Sequence, residues 1–290
     1  MSKTYSDIIA GTMNWGAWGK QLCTKDMADL MYHCLDCGIT TFDHADIYGD
    51  YSTESEFGKA LADSNIKRED IQLISKCGIQ YLGNSRPGNK VKHYDYNKNY
   101  IIWSVEQSLK NLQTDYLDLL LLHRPSPLLN PMEVAEAITT LKKAGKIKDF
   151  GVSNFLPSQI NLLQKYIEVS VNQQECSITH FDPLLDGNLD YLQTHNIQAM
   201  AWSPLGSFFK EDTSQTKRID KVLCHLQKQY NASKDQLLLA WLLKHPANII
   251  PVVGTTTPER LTFAIEASKI DLSQQDWFAL LVASQGHKVP

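Results

Sequence analysis

Short apolar, β-branched runs alternate along the chain with longer stretches whose apolar side chains recur at three- and four-residue spacing. The runs predict strands at 8–13, 40–43, 71–76, 116–122, 147–152, 169–173, 197–202 and 249–253. The periodic stretches predict helices at 24–36, 53–62, 98–112, 131–144, 157–166, 189–194, 218–230, 234–244, 259–268 and 274–283. In the first helix Met27, Leu30, Met31 and Cys34 share a face, Thr24 reads as its N-cap and Gly38 as its stop. The strand runs are nearly continuous in apolar residues, as a sheet covered on both faces requires.

Eight strands alternating with helices, without a break in composition, predict one parallel α/β domain over residues 1–290. A closed (β/α)8 TIM barrel suits this count, with a long loop after strand 3 and an extra C-terminal helix. A doubly wound open sheet is the alternative. Its dinucleotide fingerprint is missing, because the first strand–helix turn reads Gly11-Thr12-Met13-Asn14-Trp15-Gly16. Residues 78–97 predict an irregular loop, and their tyrosines and basic residues favour a lid facing a substrate over a bare tether.

Composition narrows the class. A hydrophobic share of 43% with 21% charged residues is that of a globular protein with a full core. The net charge of −4 offers no basic surface for nucleic acid or an anionic membrane. The residues from Met1 to Asp7 lead into an apolar run too brief for a signal peptide, and no stretch has the length of a membrane span. Six scattered cysteines fit reduced thiols, so a cytoplasmic location is expected.

Four strand ends carry chemistry: Asp43 with Tyr48 just beyond it, Lys76, His123, and the Ser153-Asn154 pair. In an α/β barrel such ends converge on one rim. A lysine cation beside a tyrosine favours the phenolate, and a carboxylate beside the lysine keeps it charged. The tyrosine can then protonate an oxygen that is becoming an alkoxide, while a histidine donates a hydrogen bond to the same oxygen. That set suits reduction of a carbonyl.

Asp43-x-Ala45-x-x-Tyr48-Gly49 with Ser55-Glu56, Ser75-Lys76, and Leu122-His123-x-Pro125 together resemble the aldo-keto reductase superfamily. Gly151-Val152-Ser153-Asn154-Phe155, Asn172-Gln173-x-Glu175, Trp202-Ser203-Pro204-Leu205-Gly206 and the stretch from Pro251 to Arg260 extend the match nearly end to end. The first motif and Leu122-His123-Arg124-Pro125 look most like a bacterial subgroup of generic oxidoreductases. The resemblance implies a barrel that binds NADPH, with NADH less favoured, and reduces aldehydes or ketones to alcohols. It implies Tyr48 as proton donor, Asp43 and Lys76 as its tuning pair, and His123 as the group that orients the carbonyl. Ser153, Asn154 and Gln173 would hold the nicotinamide carboxamide, and Trp202 would stack on the ring where the family has a tyrosine. Ser203, Leu205 and Ser207 would follow the pyrophosphate, Gly11, Thr12, Gly254 and Thr255 would border the cofactor, and Arg260 would face the 2′-phosphate. Gly254 stands where the family often has a lysine, which leaves one cation for that phosphate.

Other readings stand beside these. Lys76 could be a Schiff-base lysine of a barrel lyase, which would leave Tyr48 and His123 unused. The barrel also resembles the cytoplasmic β subunits of voltage-gated potassium channels, so an NADPH-holding regulatory subunit is a second reading. Cys34-x-x-Cys37 reads as structural thiols, and His44-Ala45-Asp46 as core or supporting residues, with no metal site. Cys77 is expected to face away from Lys76. Trp15 and Trp18 line the pocket or cover the rim. Arg124 reads as a surface salt-bridge partner, with a bias toward acidic substrates as the alternative. A small-molecule substrate and a monomer or homodimer are expected.

Overall fold

The computed structural model describes residues 5–289; the reading of the first residues, Met1 to Thr4, lies outside them. β1 (Ile9–Gly11) leads through α1 (Thr24–Asp36) to β2 (Thr41–Asp43), then through α2 (Tyr48–Tyr51) and α3 (Thr53–Ala62) to β3 (Gln72–Cys77). A hairpin of β4 (Ile79–Gln80) and β5 (His93–Tyr94) follows, then α4 (Lys98–Leu112) and β6 (Leu117–Leu122). Alternation continues through α5 (Pro131–Lys143), β7 (Ile147–Ser153), α6 (Pro157–Gln164), β8 (Val171–Glu175), α7 (Asn188–Thr194) and β9 (Gln198–Trp202). Two helices, α8 (Ser214–Tyr230) and α9 (Lys234–Leu243), precede β10 (Ile250–Val253), and α10 (Pro258–Glu266) and α11 (Gln274–Gln285) close the described chain.

Eight parallel strands form a closed barrel in the order β1-β10-β9-β8-β7-β6-β3-β2, so the barrel rather than the open sheet is the architecture. Strand alternation divides the side chains. Ile9, Ile74, Leu119, Leu121, Val171, Met200 and Val252 fill the barrel interior as one apolar cluster, while Leu120, Leu122, Phe150 and Val152 pack outward with the helices. Toward the strand C-termini the interior turns polar, with Asp43, Lys76 and Gln173 all buried. This change of lining positions the site.

Local signals explain where elements begin and end. The cap of α1 is Cys23, whose Sγ accepts from the Asp26 backbone N–H at 3.5 Å; Thr24, expected to cap, is already helical. α8 starts at Ser214, earlier than the expected 218, because Thr213 and Thr216 form a reciprocal capping pair. The loop after β3 is not wholly irregular. β4 and β5 pair antiparallel, Ile79 opposite Tyr94 and Gln80 opposite His93. Gly78 opens that loop at φ +110°, where a Cβ would strike the Tyr96 ring.

The extra C-terminal helix is held by reciprocal indole bonds. Trp241 Nε1 donates to the Trp277 carbonyl at 3.1 Å and Trp277 Nε1 to the Trp241 carbonyl at 2.9 Å. Arg218 of α8 donates to the carbonyls of Ala283 and Ser284, placing a cation at the C-terminus of α11. Among the described residues no helix is long and apolar enough to cross a membrane.

Candidate active site

β2 and β3 are register neighbours, with Asp43 opposite Ile74. Lys76, two residues beyond Ile74 on the same inward face, therefore reaches past the end of β2. Its Nζ lies 2.6 Å from Asp43 Oδ2, 2.8 Å from the His44 carbonyl and 3.2 Å from Tyr48 Oη. Asp43 and Lys76 are buried, their side chains 3% and 1% exposed. Gln173 of β8 completes the carboxylate, donating from Nε2 to Asp43 Oδ1 at 2.9 Å. The His123 ring, just past the end of β6, sits 6.1 Å from the Tyr48 ring and nearly perpendicular to it, at 79°. The four residues expected together are together.

Their electrostatics follow from burial and this packing. For Lys76, burial works against the charge, but Asp43 and Tyr48 outweigh it and hold the ammonium above the ordinary lysine value. A lysine held as the ammonium offers little free amine, which counts against the Schiff-base reading. Tyr48 departs from expectation. Burial pushes its phenol up; Lys76 pulls it back, Asp43 adds to the rise, and the net direction is upward. Lys76 thus limits the rise without producing a phenolate, and Tyr48 keeps its proton near neutral pH. His123 is driven well below its ordinary value by burial, then by Lys76, Arg124 and Lys92, so its ring is neutral. Its Nδ1 is buried without a partner.

The residues expected at a cofactor fall into two groups. Asn154, at φ +63°, accepts from Trp202 Nε1 at 2.9 Å and donates to Ser153 Oγ at 2.8 Å. Ser153, Asn154 and Trp202 are thus one linked patch beside the site, and Gln173 gives its Nε2 to Asp43. The Thr12 hydroxyl donates to the Asp43 carbonyl at 3.0 Å and meets His44 Nδ1 at 2.8 Å, so it braces the end of β2. Gly11 is packed, a Cβ there meeting Val252 at 3.2 Å. Ser203 and Gly206 are left-handed, and the loop from Ser203 to Ser207 docks on Thr179 Oγ1, which accepts from the Ser207 N–H at 3.0 Å. Gly254, Thr255 and Arg260 lie between the end of β10 and the first turn of α10, with Gly254 and Arg260 exposed. Asn14 of the first loop donates to the Gly254 carbonyl at 3.1 Å.

Several neighbours bear on the other readings. Trp15 is fully buried against Phe42 and Phe57 and belongs to the core, while Trp18 stands 6.2 Å from the Tyr48 ring. The Arg124 guanidinium, read as a surface salt-bridge partner, lies instead 5.2 Å from the Trp202 ring centroid. Cys77 packs outward with the helices, as alternation requires. Cys37 Sγ donates to the Cys34 carbonyl at 3.2 Å, and burial pushes the Cys34 thiol up, which fits structural thiols. His44 packs edge-on to Phe57 and is depressed to about 3 by burial.

Two supports were missed from the sequence. One is the Gln173–Asp43 bond. The other is the buried Glu54, which accepts from Ser75 Oγ at 2.6 Å behind the site. Alternation along Ile74-Ser75-Lys76 was the available signal for the second: a serine pointing outward into the helix layer needs a polar partner there.

Residues 7–281 match the model of the aldo/keto reductase family. A Bacillus subtilis (strain 168) protein named uncharacterized oxidoreductase YcsN is 44% identical over 291 residues, covering 99% of this chain and 96% of its own. A 6-dehydroglucose reductase of Agrobacterium fabrum is 40% identical over 260 residues, covering 88% of this chain and 86% of its own. The crystal structure of an aldo/keto reductase from Klebsiella pneumoniae in complex with NADP and acetate is similar at a TM-score of 0.79 and 25% identity, covering 94% of this chain and 89% of that one. A closed barrel with this sequence match over nearly its whole length belongs to the aldo/keto reductase family.

Proposed function

We propose that the protein reduces aldehydes or ketones to alcohols with NADPH as co-substrate, Tyr48 giving the proton. The observation that carries the reading is the buried line from Asp43 through Lys76 Nζ to Tyr48 Oη, at 2.6 and 3.2 Å. The surroundings fit the cofactor. A half-exposed Trp202 indole, its N–H tied to Asn154, offers a ring face, and the left-handed turns at Ser203 and Gly206 bend the following loop. The N-terminus of α10 has no side-chain cap and carries the exposed Arg260 in its first turn, which suits a phosphate dianion.

When bound, the reduced nicotinamide supplies the hydride. As negative charge develops on the carbonyl oxygen, Tyr48 transfers its Oη proton to that oxygen, and the nearby ammonium of Lys76 stabilises the phenolate left behind. Asp43 keeps Lys76 charged and aimed, and Gln173 keeps Asp43 aimed. Neutral His123 is suited to donate a hydrogen bond to the same oxygen.

The test is NADPH oxidation with 4-nitrobenzaldehyde and an oxidised sugar, comparing wild type with Tyr48→Phe. The variant should bind NADPH normally, by fluorescence titration, and turn over slower by about a hundredfold or more. Near-full turnover in Tyr48→Phe would refute the assignment.

A further inference from the structure

The residues after Tyr48 are unusual. Gly49, Asp50 and Tyr51 are all left-handed, at φ +62°, +55° and +70°. Three such residues in a row, two of them not glycine, persist only where the surroundings impose them. The loop after β3 supplies those surroundings. The Ser85 N–H donates to Asp50 Oδ2 at 3.1 Å, and Gly83 lies so close to the Asp50 carboxylate that a Cβ there would collide with it. Tyr51 Oη donates to the Ile79 carbonyl at 3.4 Å and accepts from the Tyr81 N–H at 3.1 Å.

Arg86 fastens this arrangement. Its guanidinium lies 3.8 Å from the Tyr51 ring centroid, 5.2 Å from that of Trp103 and 5.8 Å from that of Tyr100. Its Nη1 donates to Tyr100 Oη at 2.8 Å and to Gln80 Oε1 at 2.9 Å. One half-buried cation therefore ties the loop to the α2 turn and to α4. A second path runs through rings: Tyr81 of the loop is 5.3 Å from Trp18, and Trp18 is 6.2 Å from Tyr48. Resting on the assignment of Tyr48 above, we propose that Arg86 is a positioning residue, which holds the left-handed turn so that the Tyr48 hydroxyl stays beside Lys76.

The test compares Arg86→Met with Arg68→Met. Arg68 also covers a tyrosine, at 3.9 Å from the Tyr116 ring, but it sits before β3 and β6, at the opposite end of the barrel from the site. Arg86→Met should lower kcat by about tenfold or more, since small misplacements of a reacting group are costly, and should leave NADPH affinity unchanged. Arg68→Met should lower Tm and spare kcat. In the Tyr48→Phe background Arg86→Met should lower single-turnover rates no further, because its effect runs through the missing hydroxyl. Tyr51→Leu removes the ring that the Arg86 guanidinium covers at 3.8 Å; it should lower kcat in the same direction, and it carries the test if Arg86→Met does not fold. Wild-type kcat in Arg86→Met, or in Tyr51→Leu where that variant carries the test, would overturn the proposal, as would an undiminished loss in the Tyr48→Phe background. If Tyr48→Phe itself is active, the proton-donor reading fails first, and separately.

Discussion

Replacing Lys76 by Met removes an ammonium while keeping a side chain of similar length in the barrel. The ammonium has three partners, Asp43 Oδ2, the His44 carbonyl and Tyr48 Oη, and neither it nor Asp43 reaches solvent. After substitution the carboxylate keeps only the Gln173 amide among these contacts. Breaking a buried pair by removing one member costs about 3–5 kcal/mol, mostly through the uncompensated charge left behind. In a protein of this size that lowers Tm by roughly 10 °C. Adding Asp43→Leu removes the stranded carboxylate, and apolar replacement of both members is often neutral. The Lys76→Met/Asp43→Leu protein should therefore be more stable than Lys76→Met alone, short of wild type by about 1 kcal/mol for the Gln173 amide left without its acceptor. Urea titration followed by tryptophan fluorescence gives both numbers, and catalysis should be lost in both variants. A single variant that melts with wild type, or a double variant no more stable than the single, would refute the reasoning.

Two further outcomes follow from groups around the site. Burial, then Glu54, lift the Asp46 carboxyl from 3.8 to about 7, against smaller lowering effects from Arg86 and Ser104. The folded state thus keeps a proton that the unfolded chain releases; stability is full below the ordinary carboxylate range and declines as pH rises through about 7. Three pH units at about 1.4 kcal/mol each give about 4 kcal/mol. Asp46→Asn, which keeps an acceptor for Ser104, should flatten that decline in urea midpoints measured from pH 4 to 8, and equal slopes in the two proteins would contradict it. Gly254→Lys restores a second cation where a Cβ meets only Asn14 Nδ2, at 3.3 Å. It should raise the NADPH-to-NADH ratio of kcat/KM about fivefold at low salt, the scale of one exposed ion pair, and an unchanged ratio would show that the position lies away from the 2′-phosphate.

The barrel was legible because its signal is periodic and local. Apolar runs such as Leu117 to Leu122 can only be buried on both faces, and eight of them separated by helices leave few architectures. Asp43, Lys76 and His123 were legible for a related reason: polar residues ending apolar runs stand where a barrel interior meets its rim. What the sequence withheld was pairwise geometry across long separations. Gln173 reads as a ligand-facing amide, and its Nε2 contact with Asp43, 130 residues away, does not show in the sequence. Thr12 reads as bordering the cofactor, and the use of its hydroxyl within the protein, on the Asp43 carbonyl 31 residues away, does not show in the sequence. The hairpin of β4 and β5 was hidden because its strands are two residues each, too short to show alternation.

The sign of the tyrosine shift separates two roles that the sequence could not. A lysine next to a phenol argues for easier ionisation, and with solvent around the pair that would hold. Here both groups are buried: desolvation lifts the phenol, Lys76 lowers it, and the Asp43 carboxylate adds its own repulsion to the rise. The net direction is upward, so the phenol 3.2 Å from the ammonium stays protonated. That balance suits a donor. A phenol already ionised near neutral pH would have no proton to give, whereas one held up by burial and flanked by a fixed ammonium gives its proton only when a stronger oxygen base forms beside it.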